Sequence, residues 1–146
     1  MKKYILCTII VLFAVCQTQA QIFDPVDWEF ESKALEDGSY ELTFTAALDA
    51  GWYIYSQNIE DGGPIPTSFE FDEHEANGDI VEKGELIEKF DKMFEMQVGK
   101  YSEKVSFVAN VKAKAGDTIT GYLTYMTCDD QRCLPPEDVD FEFTLE

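Results

Sequence analysis

Apolar and polar residues alternate with period two along most of this chain, a pattern that commits it to strands with one buried face. Tyr40, Leu42, Phe44 and Ala46 alternate with Glu41, Thr43 and Thr45, and Val105, Phe107, Ala109 and Val111 alternate with Lys104, Ser106, Asn110 and Lys112. Trp28 to Ser32, Trp52 to Ser56, Thr67 to Phe71, Thr118 to Met126 and Val139 to Leu145 are further strand candidates, rich in Tyr, Phe, Val and Thr. Asp37-Gly38, Asp61-Gly62-Gly63 and Ala115-Gly116-Asp117 supply turns between them. Seven or more short strands in one domain predict an all-β sandwich. One segment resists. From Glu85 to Met96 the apolar residues Leu86, Ile87, Phe90, Met93 and Phe94 fall at helical spacing, and a short amphipathic helix fits as well as a strand with a loop.

The first residues read as an export signal. Lys2 and Lys3 form a basic start, Ile5 to Val15 an apolar stretch, and Thr18-Gln19-Ala20 a small-x-small cleavage site before Gln21. Lipidation of Cys16 is a competing reading, but the residue before a lipidated cysteine is normally small and here it is Val15. Removing residues 1–20 leaves 21–146 as a single domain, without the run of about 20 apolar residues that a membrane helix needs. The expectation is a soluble periplasmic protein with no direct insertion in a membrane. Cys7 and Cys16 leave with the signal, and the remaining two, Cys128 and Cys133, are expected to pair in an oxidising compartment. The formal charge of −18 becomes −20 once Lys2 and Lys3 are gone, which argues against nucleic acid and anionic lipid as partners. An acidic surface that maintains solubility explains this charge; steering of a basic partner is the functional alternative.

Few residues suggest chemistry. The chain has no Ser/His/Asp set, no phosphate-cradling glycine loop and no cluster of His and Cys at metal-ligand spacing. Asp72-Glu73-His74-Glu75-Ala76-Asn77-Gly78-Asp79 lacks the spacing of a calcium loop, and His74, the only histidine, makes zinc weaker still; a surface loop is the simpler reading. What remains is Tyr125-Met126-Thr127-Cys128-Asp129-Asp130-Gln131-Arg132-Cys133-Leu134-Pro135-Pro136. Cys128 ends a strand pattern, four polar residues follow, and Pro135-Pro136 precedes the last strand, which puts both sulfurs at the base of a hairpin-like loop. Facing residues of an antiparallel pair have Cα atoms about 4.5 to 5.5 Å apart, within disulfide range. A bond closing so short a loop contributes roughly 2 kcal/mol, against about 3 for fifteen residues, so spacing alone does not separate a staple from a reagent.

Three blocks carry a resemblance over the stretch from Gly51 to the C-terminus, most of 21–146. They are Gly51-Trp52-Tyr53-Ile54-Tyr55, the block from Phe90-Asp91-Lys92-Met93-Phe94 through Gly99-Lys100 into the strand beginning at Lys104, and Cys128 to Pro136 with its Cys-Leu-Pro-Pro ending. In this order and at these separations the chain resembles the N-terminal periplasmic domain of the thiol:disulfide interchange protein DsbD. The resemblance implies an immunoglobulin-like antiparallel β-sandwich that accepts reducing equivalents through Cys128 and Cys133 and passes them on. It implies that Cys133 enters the mixed disulfide and Cys128 resolves it, that Tyr53 and Tyr55 flank the pair, and that Phe94, or Met93, belongs to a cap loop with Asp91 as a nearby carboxylate. The implied partners are a membrane-embedded or thioredoxin-like electron donor and oxidised periplasmic thiol-disulfide proteins as clients. No cofactor is implied: neither metal, flavin nor nucleotide enters that chemistry. Four residues separate the cysteines where well-known members have a slightly longer loop. The chain ends at Glu146 without the membrane and thioredoxin-like domains of full-length DsbD, so those partners are expected to be separate proteins.

Each role has a plainer rival. Tyr53 and Tyr55 lie two apart on one strand face and fit sandwich core; Phe94 fits core as well as cap. Asp129, Asp130 and Arg132 fit a solvated turn, although carboxylates beside Cys128 would raise its thiol pKa and Arg132 would lower that of Cys133. The alternative function is a non-catalytic immunoglobulin-like binding module with a structural disulfide, presenting Trp52, Tyr53 and the acidic surface to a protein or glycan.

Overall fold

The two clearest alternating runs pair with each other. Tyr40–Leu48 and Lys104–Val111 form neighbouring antiparallel strands in which Leu42 faces Ala109, Phe44 faces Phe107 and Ala46 faces Val105. All six of these side chains are fully buried, while Thr45 and Ser106 meet on the other face with hydroxyl oxygens 2.9 Å apart. A slip of one residue would turn the whole apolar set outward, so the register follows from the alternation.

The structure, a computed structural model, describes residues 23–146. The expected export signal, with Cys7 and Cys16, lies outside the described residues. In chain order the strands are β1 (Val26–Ala34), β2 (Tyr40–Leu48), β3 (Tyr53–Tyr55), β4 (Ser68–Phe71), β5 (Val81–Gly84), β6 (Ile87–Asp91), β7 (Met96–Ser102), β8 (Lys104–Val111), β9 (Thr118–Tyr125), β10 (Thr127–Cys128) and β11 (Glu137–Thr144). One sheet has the order β1-β2-β8-β5, a second β11-β9-β4 and a third β10-β3-β7-β6. Every named pairing is antiparallel.

The first two sheets pack face to face as an immunoglobulin-like β-sandwich. Phe44 from β2 sits between them, its ring 4.8 Å from Phe69, 4.9 Å from Phe141 and 5.3 Å from Phe143. On β9, Gly121 is required by close approach: a Cβ there would overlap the carbonyl of Glu70 and lie 2.6 Å from the Phe141 ring. All seven strand candidates appear. The segment from 85 to 96 is strand and loop, not helix: β6 and β7 form a hairpin with Asp91 opposite Met96. Its helical spacing is accidental, because Leu86 and Phe90, which a helix would bury on one face, are exposed beside an edge strand.

The third sheet positions the cysteines. In β3 the side chains part company by period two. Ile54 enters the main core with Phe107 and Leu123, whereas Tyr53 and Tyr55 point to a second, smaller apolar cluster around Cys128.

Candidate functional site

Cys128 is the last residue of β10, which is held to β3 with Cys128 opposite Tyr53 and with the Thr127 hydroxyl donating to the Tyr53 carbonyl at 3.1 Å. The chain then reverses. The Asp129 N–H donates to the Arg132 carbonyl and the Leu134 N–H to the Thr127 carbonyl, each at 2.9 Å, so the two bonds bracket Cys128 and Cys133 as a non-hydrogen-bonded pair. That is the closer of the two antiparallel pair types, and the Cα separation of 4.0 Å lies below the range expected for facing residues. The sulfurs are bonded to each other.

Asp129 ties the reversal from inside. Its Oδ1 accepts the Gln131 and Arg132 backbone N–H groups at 2.8 Å, and its Oδ2 accepts Arg132 Nε at 3.2 Å. The Gln131 N–H first, then the donors of Arg132, hold the Asp129 carboxyl below its usual pKa. The Arg132 guanidinium also lies 4.0 Å from the centre of the Phe23 ring and 5.7 Å from that of Trp52. The turn is therefore not merely solvated: Asp129 and Arg132 are joined within it as an ion pair.

The two sulfurs have unequal surroundings. Cys128 is wholly buried, with Tyr53, Tyr55 and Val98, while Cys133 lies at the rim of the cluster and is partly exposed; Ile59, Phe94, Met96 and Met126 also pack against that cluster. The Tyr55 hydroxyl is 3.3 Å from both Asp91 Oδ2 and Cys128 Sγ, and its single proton serves one of them at a time. Burial first, then Tyr53 and Asp91, push the Tyr55 phenol far up, so the group is a neutral donor. Tyr53 is raised in the same direction, chiefly by burial, and donates to the Asp129 carbonyl at 3.2 Å.

Asp91 shapes the loop above. It is buried, and its Oδ1 accepts the Met93 N–H at 2.8 Å, which turns the chain as it leaves β6. Glu95 closes the turn with φ of 55°, a left-handed conformation that costs a side-chain-bearing residue roughly 1 to 2 kcal/mol. Between them Phe94 folds back, edge-on to Tyr55 with ring centres 6.0 Å apart, and Met93 points outward. Phe94 is the lid candidate. Cys128, Cys133, Tyr53, Tyr55, Asp91 and Phe94 come together, and Met93 lines the adjoining cleft with Tyr53 and Asp91, its side chain exposed.

Sequence reasoning missed Val98, Ile59, Met96 and Met126, which no motif marks. It also assigned no role to Lys100, whose ammonium lies 3.3 Å above the Tyr53 ring. Burial lowers the pKa of Lys100, against the opposing pull of Asp91. The surface expected of a binding module is altered too: Trp52 and Tyr53 are only 8% and 7% exposed.

A sequence profile for the family described as thiol:disulfide interchange protein DsbD, N-terminal, matches residues 19–145. The chain belongs to this family. Among solved structures it is similar to the Neisseria meningitidis DsbD N-terminal domain in the reduced form, at 20% identity and a TM-score of 0.57 over 80% of this chain and 84% of that one. The complex between the DsbD N-terminal and PilB N-terminal domains of the same organism gives 23% identity and a TM-score of 0.54, covering 84% of this chain and 87% of that one. The N-terminal periplasmic domain of ScsB from Proteus mirabilis gives 17% and 0.62, covering 84% of this chain but only 47% of the longer ScsB domain. At such identities the likeness to these structures is one of fold. No curated protein sequence matches. A DsbD N-terminal family chain with Cys128 and Cys133 bonded is consistent with thiol-disulfide interchange.

Proposed function

We propose that residues 21–146, exported by removal of residues 1–20, act in the periplasm as a thiol-disulfide exchange domain. The observation that carries this reading is the asymmetry of the pair: Cys128 is sealed in an aromatic cluster, and Cys133 is partly exposed at its rim. A staple gains nothing from that asymmetry. An exchange reagent needs it, because a partner must reach one sulfur and leave the other to resolve.

In the accepting step a donor thiolate attacks Cys133 Sγ, the Cys128–Cys133 bond breaks, and Cys128 leaves as the thiolate with Tyr55 as a donor in reach. A second donor thiol, as its thiolate, attacks its own partner sulfur in that mixed disulfide and frees Cys133, so two electrons and two protons have passed to the domain. In the delivering step the Cys133 thiolate attacks a client disulfide and expels one client thiolate. Cys128 then attacks Cys133 Sγ, expels the second client thiolate and restores the original bond. A membrane-embedded or thioredoxin-like protein is the proposed donor, and oxidised periplasmic thiol proteins are the clients; the solved complex of a relative with a PilB domain supports partnership between proteins.

Two measurements decide this. The reduction potential of the pair, from equilibration with thiol buffers and counting of alkylated cysteines, should lie above about −250 mV, and a bond still oxidised below about −300 mV would mark a staple. Cys133→Ser should abolish exchange while Cys128→Ser accumulates a mixed disulfide. Equal exchange by both variants would overturn the roles.

A further inference from the structure

Beside the disulfide the molecule departs from its overall charge. In a chain of formal charge −18, the cleft of about 280 Å³ between the lid loop and the Cys128–Cys133 loop is lined by Lys89, Lys92 and Lys100. Two carboxylates share that lining, Asp91 and Asp130, but Asp91 is buried and already accepts from the Met93 N–H and the Tyr55 hydroxyl. The one ion pair within 4.0 Å among the described residues joins Arg132 to Asp129. So three lysines converge on one opening without a contacting carboxylate, although the chain contains 29 acidic residues. Lys100 is also partly stripped of water against the Tyr53 ring, which strengthens its attraction for an incoming anion. At the lip, Phe90 and Met93 are 51% and 46% exposed and face solvent from the same cleft.

We propose that this cleft docks the redox partner through an acidic stretch carrying an apolar side chain, with carboxylates on Lys89, Lys92 and Lys100 and the apolar group against Phe90 and Met93. The proposal rests on the exchange reading above and names the chemistry of the partner. A free inorganic anion would use the lysines but leave the apolar lip unexplained. Nucleic acid would meet the acidic remainder of the surface. The attraction is local: the net charge repels an acidic partner at long range, so the preference persists near physiological salt, where fields are screened beyond about 8 Å.

The test uses the reduced protein and peptide disulfides sharing one central cysteine, flanked by Asp and Phe in one peptide and by Lys and Phe in the other. The acidic peptide should be reduced faster. With about a factor of two for each exposed pair, three pairs give roughly eightfold. The triple variant Lys89→Gln/Lys92→Gln/Lys100→Gln should erase that preference, and Lys33→Gln/Lys112→Gln/Lys114→Gln, which removes equal charge elsewhere, should keep it. Equal rates for the two peptides, or a faster basic peptide, would overturn the docking proposal while leaving exchange intact. If neither peptide is reduced, the exchange reading fails instead. Docking is then decided by a serine copy of the acidic peptide. Amide shift changes confined to residues 89–93 and 100 support it, whereas no shift, or the same shifts with inorganic phosphate, reject it.

Discussion

Phe94→Ala separates a lid from a core residue. A buried phenylalanine truncated to alanine costs about 3 to 5 kcal/mol, and for a half-buried ring on a loop free to relax we take half, about 2. That value includes the edge-on contact with Tyr55, of a type worth roughly 0.5 to 1.5 kcal/mol. If the contact holds the loop closed over Cys133, losing about 2 kcal/mol shifts the opening equilibrium by up to roughly thirtyfold. Reduction by excess dithiothreitol, followed by quenching and counting of free thiols, should accelerate by at least tenfold in conditions where the fold is intact. Global stability from urea unfolding should fall by no more than about 2 kcal/mol, because once the loop stands open no further loss is transmitted to the sandwich. Phe44→Ala, deep between the sheets, supplies the opposite pattern: a loss of about 3 to 5 kcal/mol and no acceleration under native conditions. A Phe94→Ala protein reduced within a factor of two of wild type, yet destabilised by more than about 3 kcal/mol, would show that the ring is core and the lid reasoning wrong.

Two further substitutions probe the site and its support. Tyr55→Phe removes a neutral donor 3.3 Å from Cys128 Sγ; at about 1 kcal/mol for that bond the thiol pKa of Cys128 in the reduced protein should rise by about 0.7 unit. Titrating thiolate absorbance reads this, and an unchanged value would mean that the hydroxyl serves Asp91 alone. Glu82 accepts from the Ser56 hydroxyl at 2.9 Å, the Gln57 N–H at 2.6 Å and the Tyr101 hydroxyl at 2.5 Å, joining β5 to β3 and β7. Glu82→Ala strands two buried hydroxyls and should lower urea stability by roughly 2 to 4 kcal/mol, with Glu82→Gln costing less; a loss below about 0.5 kcal/mol for the alanine variant would refute the accounting.

The strands that could be read from the residues are those whose alternation is enforced by a core. Tyr40 to Ala46 and Val105 to Val111 pair side by side in one sheet of the sandwich, and burial selects their inward residues. Strands β5 and β6 have mostly exposed side chains and are held by backbone pairing to β8 and β7, so nothing selects a pattern in Val81–Gly84 or Ile87–Asp91. The site divides in the same way. Tyr53 and Tyr55 were legible as a pair on one strand face, and the cysteines by their spacing. Arg132 on Phe23 and Trp52 was not, because those rings arrive from distant parts of the chain. Nor was Lys100 over Tyr53, a diagonal neighbour across β3 and β7 that depends on a register no local pattern carries.

The three-residue strand β3 explains how a bond with the proposed reactivity can coexist with a stable sandwich. Its middle residue, Ile54, is anchored with the main core, so the backbone on which the site is built is held independently of the site's own cluster. Its outer residues, Tyr53 and Tyr55, face a cluster whose other side is the loop bearing Phe94 and the edge hairpin of β6 and β7. Opening that cluster exposes a few side chains and disturbs no packing between the two sheets of the sandwich. Local opening is cheap where few apolar contacts are lost, and two tyrosines, a valine, a cysteine and a phenylalanine are a small fraction of what the interior buries. The same disulfide between the main sheets would be reachable only by unfolding. On the exchange reading proposed above, its position at the rim, with Cys128 buried and Cys133 partly exposed, would make partner access a matter of loop motion and leave the stability of the sandwich out of the cycle.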